Sequence, residues 1–143
     1  MAQPTHRTEC NCLAVRQAAR QVTQLYDEEL SGTGLRVTQY SVLSRLSRIA
    51  PATMQELADA LVIDRTTLAH NLRPLERDGL VSVGVDKSDG RVRRLRLTAS
   101  GEATLKVARV SWQRAQERFE RAFGATTADE LRKMLSNVVE AIR

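Results

Sequence analysis

Apolar residues recur at helical spacing near the start of the chain. The first stripe consists of Val15, Ala18, Val22 and Leu25. Its spacings of 3, 4 and 3 residues predict a helix over residues 13–30, which the Ser/Gly/Thr-rich residues 31–34 end.

A second helix is expected to begin with Thr38 as its N-cap and to stop before Pro51. Its inner face would carry Val42, Leu43, Leu46 and Ile49.

Two short capped helices are expected next. Thr53 and Glu56 have the spacing of a capping box, in which the hydroxyl and the carboxylate each accept from a free backbone amide. A helix over residues 54–61 should follow, with a buried stripe of Met54, Leu57, Ala58 and Leu61. Asp64 then caps a helix over residues 65–78, where a carboxylate also complements the positive end of the helix dipole.

The helical spacing gives way to alternation after Gly79, which is the expected left-handed stop of the preceding helix. Residues 80–83 and 92–97 alternate between apolar and polar positions, so two strands are predicted. The charged residues 86–90 between them contain Gly90, which is available for a positive φ. These features predict a β-hairpin directly after the helix pair.

The C-terminal third returns to helical spacing. Thr98 is the expected cap of a long helix whose stripe is Leu105, Ala108, Trp112, Ala115, Phe119 and Ala122. Gly124 breaks this helix. Residues 127–130 have the form of another capping box and should open a terminal helix. Its inner positions would be Leu131, Leu135, Val138 and Ile142.

The length and the element order together predict one domain over residues 1–143, because a compact domain usually has roughly 100–150 residues. The expected fold class is mainly α with a small β-hairpin wing. A winged helix-turn-helix would occupy about residues 37–97, with its helix pair and wing over residues 53–97. Helices over about residues 13–30 and 99–143 would flank it.

The basic residues are concentrated in the predicted winged motif. The net charge is +5, and eight basic but only four acidic residues lie between Arg65 and Arg96. This distribution favours an anionic partner. No run approaches the ~20 apolar residues of a membrane helix, and residues 1–9 lack the apolar segment of a signal peptide. We therefore expect a cytoplasmic protein.

The helix over residues 65–78 divides into two faces on a helical wheel. Leu68, Leu72 and Leu75 fall within one narrow arc. The opposite face carries Thr66, His70, Arg73 and Arg77. Such a helix can lie in the major groove of DNA, where Arg binds guanine and Thr contacts a thymine methyl group. The alternative is the solvated face of an ordinary packed helix.

Further contacts are expected at both ends of this motif. Arg65 and Thr67, at the start of the helix, can reach phosphates or bases. Pro74 removes a backbone donor and usually kinks a helix, which would confine the straight segment to residues 65–73. At the hairpin tip, Asp89 is expected to orient Arg91 toward a minor groove. Lys87 is another candidate contact, and Arg93, Arg94 and Arg96 should contact phosphate or pair with acids.

These residues resemble the MarR family of bacterial regulators over nearly the whole chain from Leu13 onward. The resemblance is carried by residues 54–61, 64–68, 75–81, 86–91 and 95–101. It implies a triangular dimer whose terminal helices intertwine, a pseudo-palindromic operator, and repression that an effector relieves. Many family wings have two adjacent arginines after the aspartate. Here Gly90 occupies the first of those places, so Arg91 alone inherits the role.

A homodimer is also favoured by the long apolar stripe over residues 105–122, which exceeds what one small motif can cover. The alternative is packing within a monomer. A two-fold dimer would match two half-sites that lie roughly 34–36 Å apart on DNA.

Two kinds of effector are considered. The segment that begins at Cys12 resembles the peroxide-sensing branch of the family, although Arg16 stands where that branch has tyrosine. A thiol near a helix N-terminus is more readily ionised and oxidised. The alternative is that Cys12 is a small buried residue and that Cys10 has no role. The two cysteines are only two residues apart and are therefore poorly placed to form a disulfide with one another. The competing hypothesis is an aromatic ligand in a cleft lined by Arg16, Arg20, Tyr40 and Trp112.

An enzyme is disfavoured because there are only two histidines, His6 and His70, and no metal-ligand cluster, phosphate-binding glycine loop or nucleophile motif. No catalytic residue, metal or cofactor is therefore expected. The expected function is a sequence-specific DNA-binding transcriptional regulator that acts as a repressor. The alternative is a winged-helix protein-interaction module that does not read DNA.

Overall fold

The computed structural model describes residues 4–143 and is mainly helical, with one two-stranded antiparallel sheet. The elements in chain order are α1 (Asn11–Leu30), α2 (Val37–Ile49), α3 (Met54–Leu61), α4 (Arg65–Arg77), β1 (Val81–Val85), β2 (Arg93–Leu97), α5 (Ala99–Phe123) and α6 (Ala125–Ile142). The predicted fold class is confirmed. Within the described part of the chain, no helix is long and apolar enough to cross a membrane.

The described residues form two compact units. The first contains residues 4–29 and 112–143, and the second contains residues 30–111. The winged motif lies wholly in the second unit, whose core is aliphatic. Its largest fully buried side chains include Leu43, Leu46, Leu57, Leu68, Leu72, Leu75, Leu95 and Leu105. Each helix of the motif therefore has a leucine anchor in the same core.

The caps of α3 and α4 form as predicted. The Thr53 hydroxyl accepts from the Glu56 amide at 3.1 Å, and the Glu56 carboxylate accepts from the Thr53 amide at 2.8 Å. Asp64 accepts from the Thr67 amide at 2.7 Å. Helix α3 buries Leu57 and Ala58 fully. The other two residues of its predicted stripe, Met54 and Leu61, are half-buried.

The hairpin extends further toward its tip than predicted. Its register pairs Val81 with Leu97 and Val85 with Arg93, so β1 includes residues 84 and 85. A third segment joins the pair, because the Ala52 amide donates to the Leu95 carbonyl at 3.2 Å and the Leu95 amide donates back at 2.7 Å. The wing is thus attached by backbone to the residue that precedes the cap of α3.

Two predicted helix starts are wrong. Helix α2 has Arg36 as its N-cap, and Thr38 lies inside the first turn, because the Gln39 side chain accepts from the Arg36 amide at 3.0 Å. Helix α6 begins at Ala125, not at the predicted box over residues 127–130. Gly124 itself, with φ of 98°, makes the whole break, so the chain re-enters a helix at once.

In the first unit, polar contacts join α1 to the second half of α5. The Tyr26 hydroxyl donates to the Gln116 side chain. Arg118 contacts the carboxylates of Glu28 at 3.0 Å and Glu29 at 3.4 Å. Burial raises the pKa of Tyr26, with the nearby Glu120 carboxylate adding to the effect.

The terminal helix leaves most of its predicted inner positions uncovered within one protomer. Leu135 is 42% exposed, Val138 48% and Ile142 81%, whereas Leu131 is half-buried. An apolar recess of about 440 Å³ in the same unit is lined by residues of α1, α5 and α6, among them Val22, Phe119 and Leu131. The expectation that these side chains are buried is wrong for the isolated chain.

Candidate nucleic-acid interface

Helix α4 presents the two faces that its sequence predicts. Leu68, Leu72 and Leu75 are at most 2% exposed and fix the helix to the core. The exposed side chains are Arg65, Thr66, Thr67, His70, Arg73, Glu76 and Arg77. Of these, Arg77 lies 3.3 Å from the Asp78 carboxylate, so its charge is partly engaged within the protein. Thr66, His70 and Arg73 remain the outward face of the helix.

The start of α4 is fixed by Asp64. One carboxylate oxygen accepts from the Thr67 amide, and the other accepts from the Thr67 hydroxyl at 2.8 Å. These hydrogen bonds hold the pKa of Asp64 below its ordinary value. The Thr67 hydroxyl proton is therefore directed into the cap, and only its acceptor capacity faces outward.

Pro74 does not end the helix. Helix α4 continues to Arg77, and the Pro74 carbonyl accepts from the Asp78 amide at 3.0 Å. The outward residues of the first three turns thus stand on a helix that runs uninterrupted past the proline.

A tight junction connects α4 to the wing. Gly79 has a φ of 73° and reverses the chain, after which the Leu80 amide donates to the Leu75 carbonyl at 2.8 Å. The Leu80 carbonyl accepts from the Thr98 amide at 3.0 Å. The Cβ of any residue in place of Gly101 would lie 2.0 Å from that carbonyl oxygen. Sequence reasoning missed this close approach, because nothing in the spacing of residue types reveals it.

The wing tip carries Arg91 as its outermost charge. Its side chain is 94% exposed. The Asp89 carboxylate accepts from the Arg91 amide at 3.0 Å and lies 3.4 Å from its guanidinium Nε. Within the described chain Gly90 is not among the residues with positive φ, so the predicted reason for a glycine at this turn is wrong. Lys87 is exposed in the same turn.

The turn end of the hairpin contains an ion-pair network that sequence reasoning did not assign. Arg94 donates through Nε to Asp86 at 2.7 Å and through Nη1 to Glu56 at 3.4 Å. Asp86 also accepts from the Ser88 amide and hydroxyl, at 2.8 and 2.6 Å. Hydrogen bonds from Ser88 and then Arg94 hold the pKa of Asp86 well below its ordinary value. The alternation of apolar and polar residues placed Arg94 on β2, but it could not reveal the two carboxylates that Arg94 contacts, because Asp86 follows β1 and Glu56 lies in α3.

The cysteines lie at the start of α1, and both are exposed. Cys12 is in the first helical turn and is not the buried residue considered as an alternative. The Cys10 sulfur, at the N-cap, accepts from the Leu13 amide at 3.5 Å. The thiol that receives the helix amide is therefore Cys10.

The residues predicted to line a ligand cleft do not all lie in one unit. Arg16 and Arg20 are exposed on α1 and share the wall of an open surface depression. Trp112 is half-buried in the same unit, whereas Tyr40 is 5% exposed in the core of the second unit. Their joint role in a cleft stays a prediction.

Comparison with known proteins gives consistent matches. The family model described as "MarR family" matches residues 35–92. An uncharacterised HTH-type transcriptional regulator of Bacillus subtilis, YxaD, is 32% identical over 101 residues, which cover 71% of this chain and 68% of that protein.

Two solved structures of similar proteins contain DNA. The M. tuberculosis transcriptional regulator MosR in complex with DNA is 38% identical, with a TM-score of 0.82, over 93% of this chain and 96% of that one. The transcriptional repressor CouR, bound to a 23-mer DNA duplex, is 27% identical with a TM-score of 0.85, over 97% of this chain and 99% of that one.

Proposed function

This chain is a transcriptional regulator of the MarR family, and from that premise we propose that it represses transcription by binding a pseudo-palindromic operator as a homodimer. The observation that carries the proposal is the outward face of α4. Thr66, His70 and Arg73 project from a helix whose opposite face is fully buried, directly before a wing that ends in a basic side chain. Two similar proteins are bound to DNA in their solved structures.

Each side chain on this face has a defined chemistry toward base edges. Arg73 can donate two hydrogen bonds to guanine, and the Thr66 methyl group can contact thymine. His70 can donate or accept according to its tautomer. Arg65 stands at the first turn, where a helix that enters the major groove meets the phosphates. Thr67 lies in the same turn, and its hydroxyl, which donates to Asp64, can accept from a donor on a base edge.

The wing supplies a second contact outside the major groove. Arg91 is almost fully exposed and its backbone is held by Asp89, so its guanidinium is presented from a fixed point. A single arginine of this kind fits a narrow minor groove, where the negative potential is strongest. Lys87, in the same turn, would add a phosphate contact.

The homodimer is supported by the apolar surface of the first unit. Val15 and Leu135 line the recess of about 440 Å³ and are themselves exposed. Further exposed apolar side chains of α1 and α6 are Leu13, Met134, Val138 and Ile142. Burial of such side chains against a second copy is favourable by ~25 cal/mol per Å². A two-fold dimer would present two winged motifs to half-sites about 34–36 Å apart.

The effector we propose is an oxidant that acts on Cys12 or Cys10. Both thiols are exposed at the N-terminal end of α1, where an oxidant can reach them. An organic hydroperoxide would convert a thiol to a sulfenic acid and leave as the corresponding alcohol. An aromatic ligand bound near Arg16 and Arg20 is the competing effector.

The DNA-binding role is tested with a duplex that covers the region upstream of the protein's own gene and a shuffled duplex of equal length. Arg91→Ala should weaken binding to the upstream duplex and leave the dimer intact by light scattering. Arg109→Ala removes an exposed arginine of α5 and serves as the matched control. Equal affinity of Arg91→Ala and the parent would contradict the wing role.

Sequence reading and phosphate contact are separated by two further variants. His70→Ala and Arg73→Ala should change the preferred bases in a selection from randomised duplexes. A uniform loss of affinity for all sequences, with a salt slope reduced by about 0.9, would instead assign the residue to a phosphate.

The effector is tested by adding cumene hydroperoxide to the preformed complex. The parent should release DNA and rebind after reduction with dithiothreitol, and if Cys12 is the sensor, Cys12→Ser should stay bound. Cys10→Ser identifies which thiol responds. Release of a Cys10→Ser/Cys12→Ser variant at the parental rate would refute thiol sensing, and release by salicylate alone would favour the ligand hypothesis.

A further inference from the structure

We propose that Arg94 is a positioning residue that fixes the wing to the N-terminus of α3, rather than a contact to DNA. The inference rests on the proposed DNA-binding function and concerns how the second contact is held in place. It assigns a shared role to three charged residues that the sequence analysis did not connect with one another: Arg94, Asp86 and Glu56.

The geometry of Arg94 differs from that of the exposed arginines near it. Its side chain is 31% exposed, against 94% for Arg91. Two of its guanidinium nitrogens are already engaged by carboxylates, at 2.7 Å from Asp86 and 3.4 Å from Glu56. Asp86 is itself only 15% exposed. A phosphate would have to displace these acids, so Arg94 is poorly placed to bind DNA.

The two acids belong to different elements. Asp86 directly follows β1 and holds the wing turn through Ser88. Glu56 lies in the first turn of α3, where the same oxygen that approaches Arg94 accepts from the Thr53 amide at 2.8 Å. A chain of charge-assisted hydrogen bonds therefore runs from the α3 cap through Arg94 to the wing turn.

The backbone provides a second attachment beside the first. Leu95, the neighbour of Arg94, exchanges two hydrogen bonds with Ala52, the neighbour of Thr53. The side-chain network and this bridge hold the hairpin at two adjacent residues of β2, Arg94 and Leu95. A single attachment would let the hairpin rotate about it, whereas two attachments prevent that rotation. The wing tip therefore keeps a constant position relative to α3.

For Asp86→Asn, the proposal and long-range electrostatics predict opposite changes in DNA affinity. Asp86→Asn makes the protein more positive, which by long-range attraction alone strengthens DNA binding. If Asp86 acts by holding Arg94, the same variant weakens binding. Arg94→Lys keeps the charge but cannot reproduce the fork that spans two carboxylates, so it should weaken binding as well.

The experiment measures the dissociation constant for the upstream duplex and the shuffled duplex by fluorescence anisotropy over a series of salt concentrations. Asp86→Asn and Arg94→Lys should each bind the upstream duplex about three- to tenfold more weakly, with the parental salt slope. The matched controls are Glu76→Gln, an exposed acid of α4, and Arg93→Lys on the same strand. Glu76→Gln should bind as tightly as the parent or more tightly.

Amide hydrogen exchange keeps the test independent of global stability. In the variants, amides of residues 86–92 should exchange faster while those of α4 keep the parental rate. Binding of Asp86→Asn at or above parental affinity overturns the proposal. So does a salt slope that falls by about 0.9 in Arg94→Gln, which removes the charge, because such a fall would mark a phosphate contact. A parent that binds both duplexes equally would instead overturn the proposed function itself.

Discussion

Gly101→Ala should destabilise the winged unit, although alanine is the better helix former. A Cβ at this position would lie 2.0 Å from the Leu80 carbonyl oxygen and 3.0 Å from its carbon. Separations below 3.0 Å essentially do not occur, so α5 and the junction must separate by about 1 Å. The Leu80 carbonyl cannot yield freely because it accepts from the Thr98 amide.

The magnitude follows from three contributions. Overpacking against backbone destabilises by about 1–3 kcal/mol. Loss of the Thr98–Leu80 hydrogen bond adds about 1 kcal/mol. The higher helix propensity of alanine relative to glycine offsets at most about 1 kcal/mol of this loss. With the full gain in helix propensity the expected net loss is about 1–3 kcal/mol, which corresponds to a fall in Tm of roughly 2–12 °C at about 2–4 °C per kcal/mol.

The assay is urea unfolding followed by circular dichroism, with thermal melting alongside. Gly32→Ala is the matched control, because a Cβ added there would meet no atom within 4 Å and its φ is not positive. That control should stay within about 0.5 kcal/mol of the parent. Because the junction also joins α4 to the wing, Gly101→Ala should weaken DNA binding too. A Gly101→Ala protein as stable as the parent would refute the packing argument.

Three further variants probe other parts of the winged unit. Thr53→Ala removes the α3 cap and should lower the free energy of unfolding by about 1 kcal/mol, whereas Thr53→Ser should retain it; equal losses in both would contradict the capping role. Leu72→Ala leaves a cavity under α4 and should lower the free energy of unfolding by about 2–5 kcal/mol; a loss below 1 kcal/mol would contradict the burial of Leu72. The lowered pKa of Asp86 means that its ionised form stabilises the fold above pH ~4, and that this contribution is lost as the pH falls through the folded-state value. The difference in stability between the parent and Asp86→Asn should therefore shrink below pH ~4, as followed by urea titrations at several pH values, and a difference that grows there would contradict this sign.

The parts of the fold that could be predicted are those governed by neighbours in sequence. The cap at Thr53 needs only Glu56 three residues later, and the two faces of α4 need only the helical period. The exposed position of Arg91 followed from the turn chemistry around Asp89. Local rules therefore sufficed for the outward face of the site.

The parts that could not be predicted depend on contacts between distant segments. Arg94 meets Glu56 across 38 positions of the chain, and Gly101 touches Leu80 through backbone packing. The predicted start of α6 at Thr127 was wrong because the capping pattern there is purely local. The backbone conformation of Gly124 already separates α5 from α6, so the helix begins at Ala125. Exposed apolar residues of α6 were assigned to a core that one protomer does not supply.

The central claim is that α4 and the wing read DNA sequence. Its most direct test is a salt-dependent titration of the parent and Arg73→Ala against the upstream and shuffled duplexes. The account predicts that the parent binds the upstream duplex at least about a thousandfold more tightly than the shuffled one. It also predicts that Arg73→Ala loses most of that difference while keeping its affinity for the shuffled duplex. Equal affinity of the parent for both duplexes would contradict the account.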